Sequence, residues 1–188
     1  IVFERVPPHA RDMLLPQIGD VPGEPYLLPD CAQVRNPRHL QALIAACERA
    51  GVKLYPHHPL RDVSEVNGAG RILIAAGAWT TDLLARSRPR VHPVRGQIVL
   101  LKAPQRLFKR VLMFGKQYLV PRLDGHVLVG STEEPEAGFE KANTAEAVAD
   151  LLALAARAVP ALASAELVKC WSGLRPATPD GLPFIGPV

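Results

Sequence analysis

The chain has no apolar run long enough to cross a bilayer, so no membrane-spanning helix is written in it. It has no block of like charge either. Its 22 basic and 18 acidic residues are scattered and give a net charge of +4, which argues against nucleic acid as the main partner. Cysteine is scarce: Cys31, Cys47 and Cys170 are odd in number and lack metal-ligand spacing, which excludes a disulfide framework and gives no metal site. Cys47 lies on the apolar side of an expected helix and reads as a buried thiol. A repeat period, a secretory signal and a nucleophile-elbow signature are all missing, which leaves the cytoplasm as the default compartment and no serine triad to propose. His57 and His58 are adjacent, and side chains adjacent in an extended chain point to opposite faces, so they cannot easily share one metal ion. Also missing is the G-x-G-x-x-G turn with which a dinucleotide's pyrophosphate is held at a helix N-terminus.

What is present fits a soluble globular protein, either one large domain or two small ones: 188 residues, 48% hydrophobic and 21% charged. Nineteen prolines and fourteen glycines punctuate it. A helix is expected from Asn36, as cap, through Pro37 to Gly51, with Leu40, Leu43, Ile44 and Cys47 on its inner face. A short strand follows over Val52 to Tyr55. Arg71 to Ala76 (RILIAA) reads as a strand buried on both faces; it runs into Gly77-Ala78-Trp79 and a short helix from Thr80 to Ala85. Strands are expected over Val91 to Lys102, Arg110 to Met113, Tyr118 to Arg122 and His126 to Ser131, the last two joined at Asp124-Gly125. A second long helix starts near Asn143 with Glu146 placed for a capping box. Its stripe is Val148, Leu151, Leu152, Ala155 and Val159, and Pro160 ends it. The last strand, Leu167 to Leu174, breaks at Arg175 into glycines and prolines. The fold class is therefore mixed, α+β with α/β elements: an antiparallel-rich sheet with helices, interleaved with a partial Rossmann-like portion.

Five segments carry a resemblance to a known family: Ile74-Ala75-Ala76-Gly77-Ala78-Trp79, Pro93-Val94-Arg95-Gly96-Gln97, Tyr118-Leu119-Val120-Pro121-Arg122, Val129-Gly130-Ser131-Thr132, and Trp171-Ser172-Gly173-Leu174-Arg175-Pro176. In this order they resemble the FAD-dependent glycine oxidase and D-amino-acid oxidase family, nearest to the bacterial glycine oxidases of thiamine biosynthesis. The resemblance implies that Arg175 clamps a substrate carboxylate, a task suited to a planar guanidinium with two parallel N–H donors; the structural alternative is an arginine that caps a strand end or pairs with Asp180. It implies that Tyr118 lines the substrate site, against the alternative of a half-buried strand tyrosine. Glu133 falls at a site-facing position that is often apolar in the glycine oxidases; it favours a cationic substrate group or is simply exposed. Arg95 and Arg122 either sit near the flavin or form salt bridges across the sheet, and the structural reading is preferred for both. Toward the cofactor, the resemblance points to Ala76, Gly77 and Trp79 at the end of the RILIAA strand, to the backbone of Leu60, and to Gly173.

The implied reaction oxidises an amine to an imine with hydride transfer to the flavin, and dioxygen then yields peroxide. It requires no side-chain base. The related sarcosine oxidases tether their flavin to a cysteine where this chain has Gly173, so noncovalent FAD is expected. The implied partners are a small amino acid and dioxygen, with a homo-oligomer left open. The implied division is 1–29 as a substrate-domain segment, 30–88 as part of an FAD-binding domain, 89–172 as the substrate-binding domain and 173–188 as a return to the FAD-binding domain.

Relative to the family, the dinucleotide turn is expected before Ile1, a second active-site arginine after Val188, and a strand pair between Asn67 and Arg71. The chain thus reads as the middle of an oxidase, inactive and weak in FAD binding by itself. Two alternatives stand beside this reading: a noncatalytic binding module, and a flavin-dependent dehydrogenase that passes electrons to a carrier.

Overall fold

The computed structural model describes residues 2–7, 9–10, 17–19, 21–84 and 90–187. Its frame is a five-stranded antiparallel sheet. We number the elements β1 (Glu4–Arg5), β2 (Tyr26–Leu27), α1 (Asn36–Arg49), α2 (Thr80–Leu83), β3 (His92–Lys102), β4 (Leu112–Phe114), β5 (Gln117–Pro121), β6 (His126–Gly130), α3 (Ala145–Ala158) and β7 (Glu166–Ala177). The strand order is β4-β5-β6-β3-β7, and β1 pairs with β2 in a separate two-stranded ladder. The expected mixed class with an antiparallel-rich sheet is the observed one, and the four expected meander strands are present within one to two residues of their expected ends.

The hairpin between β5 and β6 forms at Asp124-Gly125. Gly125 takes φ 83°, a left-handed conformation that costs glycine nothing. Arg122 N–H donates to the His126 carbonyl at 2.8 Å. Asp124 Oδ1 accepts from His126 N–H, and the His126 bonds hold the Asp124 carboxyl down at about 2.

One face of the sheet carries the core. Val99 and Leu101 of β3, Leu119 of β5, and Val127 and Val129 of β6 pack against Leu151, Leu154, Ala155, Ala158 and Val159. These strand residues are two apart on each strand or directly opposed across strands, which puts them on one face. The helix stripe is confirmed in part: Leu151, Ala155 and Val159 are buried, and Val148 and Leu152 pack at the margin. Leu154 and Ala158 complete it. The N-cap of α3 is Thr144, whose hydroxyl accepts from Ala147 N–H. The expected capping box at Glu146 does not form, because Ala147 occupies the third helical position; Glu146 instead faces the helix dipole in the first turn.

Five other expectations are corrected. The cap of α1 is Arg35, without a side-chain bond, and Asn36 is already helical. None of the residues of α1 is buried; Leu40, Leu43 and Ile44 are 55%, 49% and 42% exposed, and Cys47 is half-buried. Residues 52–55 form no strand, and neither does RILIAA: residues 71–76 join no ladder, and Leu73 is 93% exposed. Strand status requires hydrogen-bonding partners, and no described segment supplies them there. Finally, β7 runs on through Pro176 to Ala177, so Arg175 sits inside a strand rather than at its break. The extra length is allowed because β7 is an edge strand, where a proline's missing N–H costs no ladder bond. The expected short helix is described over Thr80–Leu83, and its expected end at Ala85 lies outside the described residues. Among the described residues no helix is long and apolar enough to cross a membrane.

Candidate active site

The face of the sheet turned away from α3 is built by cross-strand pairing. Tyr118 of β5 lies opposite Gly130 of β6, Gly130 opposite Ile98 of β3, and Ile98 opposite Trp171 of β7. Gly96 faces Gly173, and Val94 faces Arg175. Opposed residues share a face, as do residues two apart. Tyr118, Trp171, Gly173 and Arg175 therefore stand on one surface, although 57 positions of sequence separate Tyr118 from Arg175.

Glycines hollow this surface. A Cβ at Gly96 would lie 2.5 Å from Nη1 of Arg175, and one at Gly130 would lie 3.0 Å from the Tyr118 hydroxyl. Both long side chains thus lie against bare backbone. The Arg175 guanidinium donates through Nη1 to the Thr132 carbonyl at 3.2 Å and through Nη2 to the Ser131 hydroxyl. A guanidinium has five N–H donors, so some stay available to a ligand. The alternative pairing with Asp180 does not form: the Asp180 carboxylate accepts from Leu182 N–H at 3.1 Å. Gly96→Ala is expected to push the guanidinium off its seat and weaken carboxylate binding at least about tenfold, as for a clamp misplaced by roughly an ångström. Titration with acetate checks this, and an unchanged dissociation constant would refute it.

Glu133 is exposed at the rim of the surface and pairs with Lys116 Nζ at 2.6 Å. The Lys116 hydrogen bond and charge, with a smaller contribution from Arg175, hold its carboxyl below the usual range. Beneath the rim, Arg95 is 7% and Gln97 0% exposed. Arg95 Nε donates to Glu134 Oε2 at 2.7 Å, and the two residues also exchange backbone bonds, which makes Arg95 the salt-bridge former it was expected to be. Burial works against the Glu134 carboxylate, but bonds from Thr132, Arg95 and Gln97 outweigh it and hold its carboxyl below the ordinary range. Arg122 belongs to the hairpin, where burial and the charges of Arg35 and Arg38 lower its pKa; no salt bridge of Arg122 stands among the described contacts. Sequence reasoning did not single out Gly96, Gly130, Ser131, Thr132, Gln97 or Glu134 as site-forming. Their local signal is only that they fall within or beside two of the motifs.

The remaining residues expected to face a cofactor are Ala76, Gly77 and Trp79, whose turn packs against β7 and β3, and Leu60. Gly77, with φ 57°, opens a 3-10 turn, Gly77–Trp79, that buries Ala78. Ala76 precedes that turn. The Trp79 ring packs on Phe139 at 5.6 Å, with Lys141 Nζ 5.2 Å from its centre. Gly77 also lines a broad apolar cleft of about 1330 Å³ with residues 72–74 and 176–187. Leu60 is 48% exposed on irregular backbone. Among the described residues no group of three or more His, Cys, Asp or Glu is placed to hold a metal.

A planar redox ring would find one suitable feature here. Nothing lies within 4 Å of a Cβ built on Gly173, so the sheet is bare backbone two residues from Arg175, open to close approach. The residues present fit the ring side of a flavin; they offer no glycine-rich turn leading into a helix for its pyrophosphate.

Residues 2–188 match the family described as FAD dependent oxidoreductase, DAO. The chain is 36% identical over 203 residues to a glycine oxidase of Pseudomonas aeruginosa, an alignment covering 99% of this chain and 55% of that protein. It is 38% identical to the hydrogen cyanide synthase subunit HcnC of the same organism, over 83% of this chain and 41% of that one. The crystal structure of glycine oxidase from Geobacillus kaustophilus superposes with a TM-score of 0.91 at 31% identity, covering 98% of this chain and 54% of that one. The chain thus spans about half the length of these relatives. With 187 residues matched to the family and its sheet shared with a solved glycine oxidase, this chain belongs to the DAO family of FAD-dependent oxidoreductases.

Proposed function

We propose that this chain forms the substrate-facing part of a cytoplasmic FAD-dependent oxidase that converts the amine of glycine, or of a small D-amino acid, to an imine with formation of peroxide. The observation that carries this reading is the Arg175 guanidinium lying over Gly96 on the same open face as Tyr118 and Gly173. The glycine oxidase of Pseudomonas aeruginosa, matched over 99% of this chain, supports the choice of substrate class. In this reading residues 89–172 make the substrate-binding portion, and residues 30–88 and 173–188 belong with the cofactor portion.

When bound, FAD supplies the acceptor for a hydride. The work of this chain is to bind and orient. Arg175 takes the substrate carboxylate by two parallel N–H bonds, and the Tyr118 hydroxyl adds a third donor to the same group. Holding the carboxylate fixes the Cα relative to the bare backbone at Gly173, which converts binding energy into orientation. Glu133, at the rim, favours the cationic amine. Lys116 already neutralises part of its charge, and an exposed pair of this kind opens at little cost.

The deciding experiment supplies the intact parent protein, loaded with FAD, with glycine or D-alanine in oxygenated buffer and counts peroxide. One peroxide per amine consumed is expected. Amine oxidation that reduces an artificial carrier without peroxide would replace the oxidase by a dehydrogenase. No oxidation of either amine would leave a binding module.

A further inference from the structure

We propose that Gln97, buried on the α3 side of the sheet, and the partly exposed Glu134 beside it are positioning residues for the Arg175 guanidinium on the opposite side, acting through Thr132. Thr132 is where the two faces meet. Its carbonyl accepts from Arg175 Nη1 at 3.2 Å. Its hydroxyl donates to Glu134 Oε1 and accepts from Gln97 N–H at 2.8 Å. Its own N–H donates to the Gln97 carbonyl at 3.3 Å. Every polar group of Thr132 is therefore engaged, and the position of its carbonyl is set by residues that no substrate touches.

Those residues are themselves fixed. Glu134 Oε2 receives Arg95 Nε at 2.7 Å and lies 2.6 Å from Arg95 Nη2. Glu134 Oε1 receives Gln97 Nε2 at 2.8 Å. The Gln97 amide oxygen accepts from Thr144 N–H at 2.8 Å and from Asn143 Nδ2 at 3.3 Å, and its nitrogen donates to the Thr144 hydroxyl at 3.2 Å. Thr144 is the N-cap of α3. The chain of bonds thus runs from a helix packed on the core, through a buried amide and a carboxylate, to the carbonyl that seats the clamp. Arg95 Nη1 lacks a hydrogen bond and lies 3.7 Å from Glu140 Oε2, but the bonds that lead to Thr132 are all made; such a connected set holds its members in place, and a clamp misplaced by about an ångström loses affinity. The carboxylate is held before and during reaction alike, so a misplaced clamp raises KM more than it lowers kcat.

This inference rests on the reading of Arg175 as a carboxylate clamp, and its test separates the two. In the FAD-loaded enzyme, acetate affinity is measured by calorimetry, with KM and kcat for glycine and the thermal midpoint, for Glu134→Gln, Arg175→Ala and the double variant. Glu134→Gln is expected to raise the acetate dissociation constant and the glycine KM about tenfold, with kcat changed less than about twofold. The double variant is expected to bind acetate no worse than Arg175→Ala, because the two residues act as one unit. A lower midpoint with unchanged acetate affinity, or losses that add in the double variant, would overturn the inference. If Glu134→Gln does not fold, Thr132→Val removes the hydroxyl bonds and keeps the carbonyl, with the same expectations. Should Arg175→Ala itself leave acetate and glycine unaffected, the clamp reading fails and this one with it; an effect of Arg175 without one of Glu134 sinks only the positioning role.

Discussion

Arg175→Ala in the FAD-loaded enzyme is expected to lower kcat/KM for glycine by at least about 30-fold, the equivalent of roughly 2 kcal/mol for removing one partner of a charge pair. The physical ground is the combination on one face. The guanidinium is seated by a hydroxyl and a carbonyl, neutral groups that orient it without cancelling its charge. A substrate carboxylate would be its strongest partner. Arg175→Lys should rescue little, since an ammonium offers a point charge where the seat holds a plane. The fall should appear mainly in KM, because the carboxylate is held in ground and transition states alike. Steady-state kinetics with glycine checks this. A specificity constant within twofold of the parent would exclude Arg175 as the clamp.

The second large effect concerns stability. Leu151 is fully buried between α3 and the strands, and Leu151→Ala is expected to cost about 2–5 kcal/mol through lost burial and the cavity left behind. For a chain of this size that lowers the thermal midpoint by something on the order of 10 °C. Circular dichroism melting measures it. Acetate affinity at 25 °C should stay as it was, because Leu151 packs on the face opposite the clamp. A midpoint shift below about 2 °C would mean that α3 does not carry the core described here.

How much was legible in the sequence followed from which patterns are local. The hairpin at Asp124-Gly125, the stripe around Leu151 and the apolar β3 are encoded within a dozen residues each, and all are present. RILIAA fails for the converse reason. An apolar run has the same composition whether or not neighbours pair with it, and Leu73 is exposed because none of the described strands does. The apolar side of α1 misled in the same way: periodicity marks a face that can be buried, not the partner that buries it. Motif resemblance singled out Arg175 and Tyr118 by residue type, and the strand register puts both on one face. Gly96 and Gly130 were not singled out, since their role exists only once a neighbouring strand lays a side chain over them. Glu134 and Gln97 were hidden further, because their connection to Arg175 crosses the sheet.

The alternation along β3 separates two kinds of evolutionary freedom. Odd-numbered residues from Arg95 to Leu101 face the interior that keeps the fold, and even-numbered ones from Val94 to Ile98 face the other side, where Val94 is covered and Ile98 is partly exposed. If that face binds substrate as proposed, changes at Ile98, Trp171 or Tyr118 would alter substrate range with little debt to the core. A change at Gln97 cannot be neutral in the same way, since it stands at the junction between the scaffold and the recognition surface. Selection for a new substrate would be expected to explore the even positions first and to leave Gln97 alone.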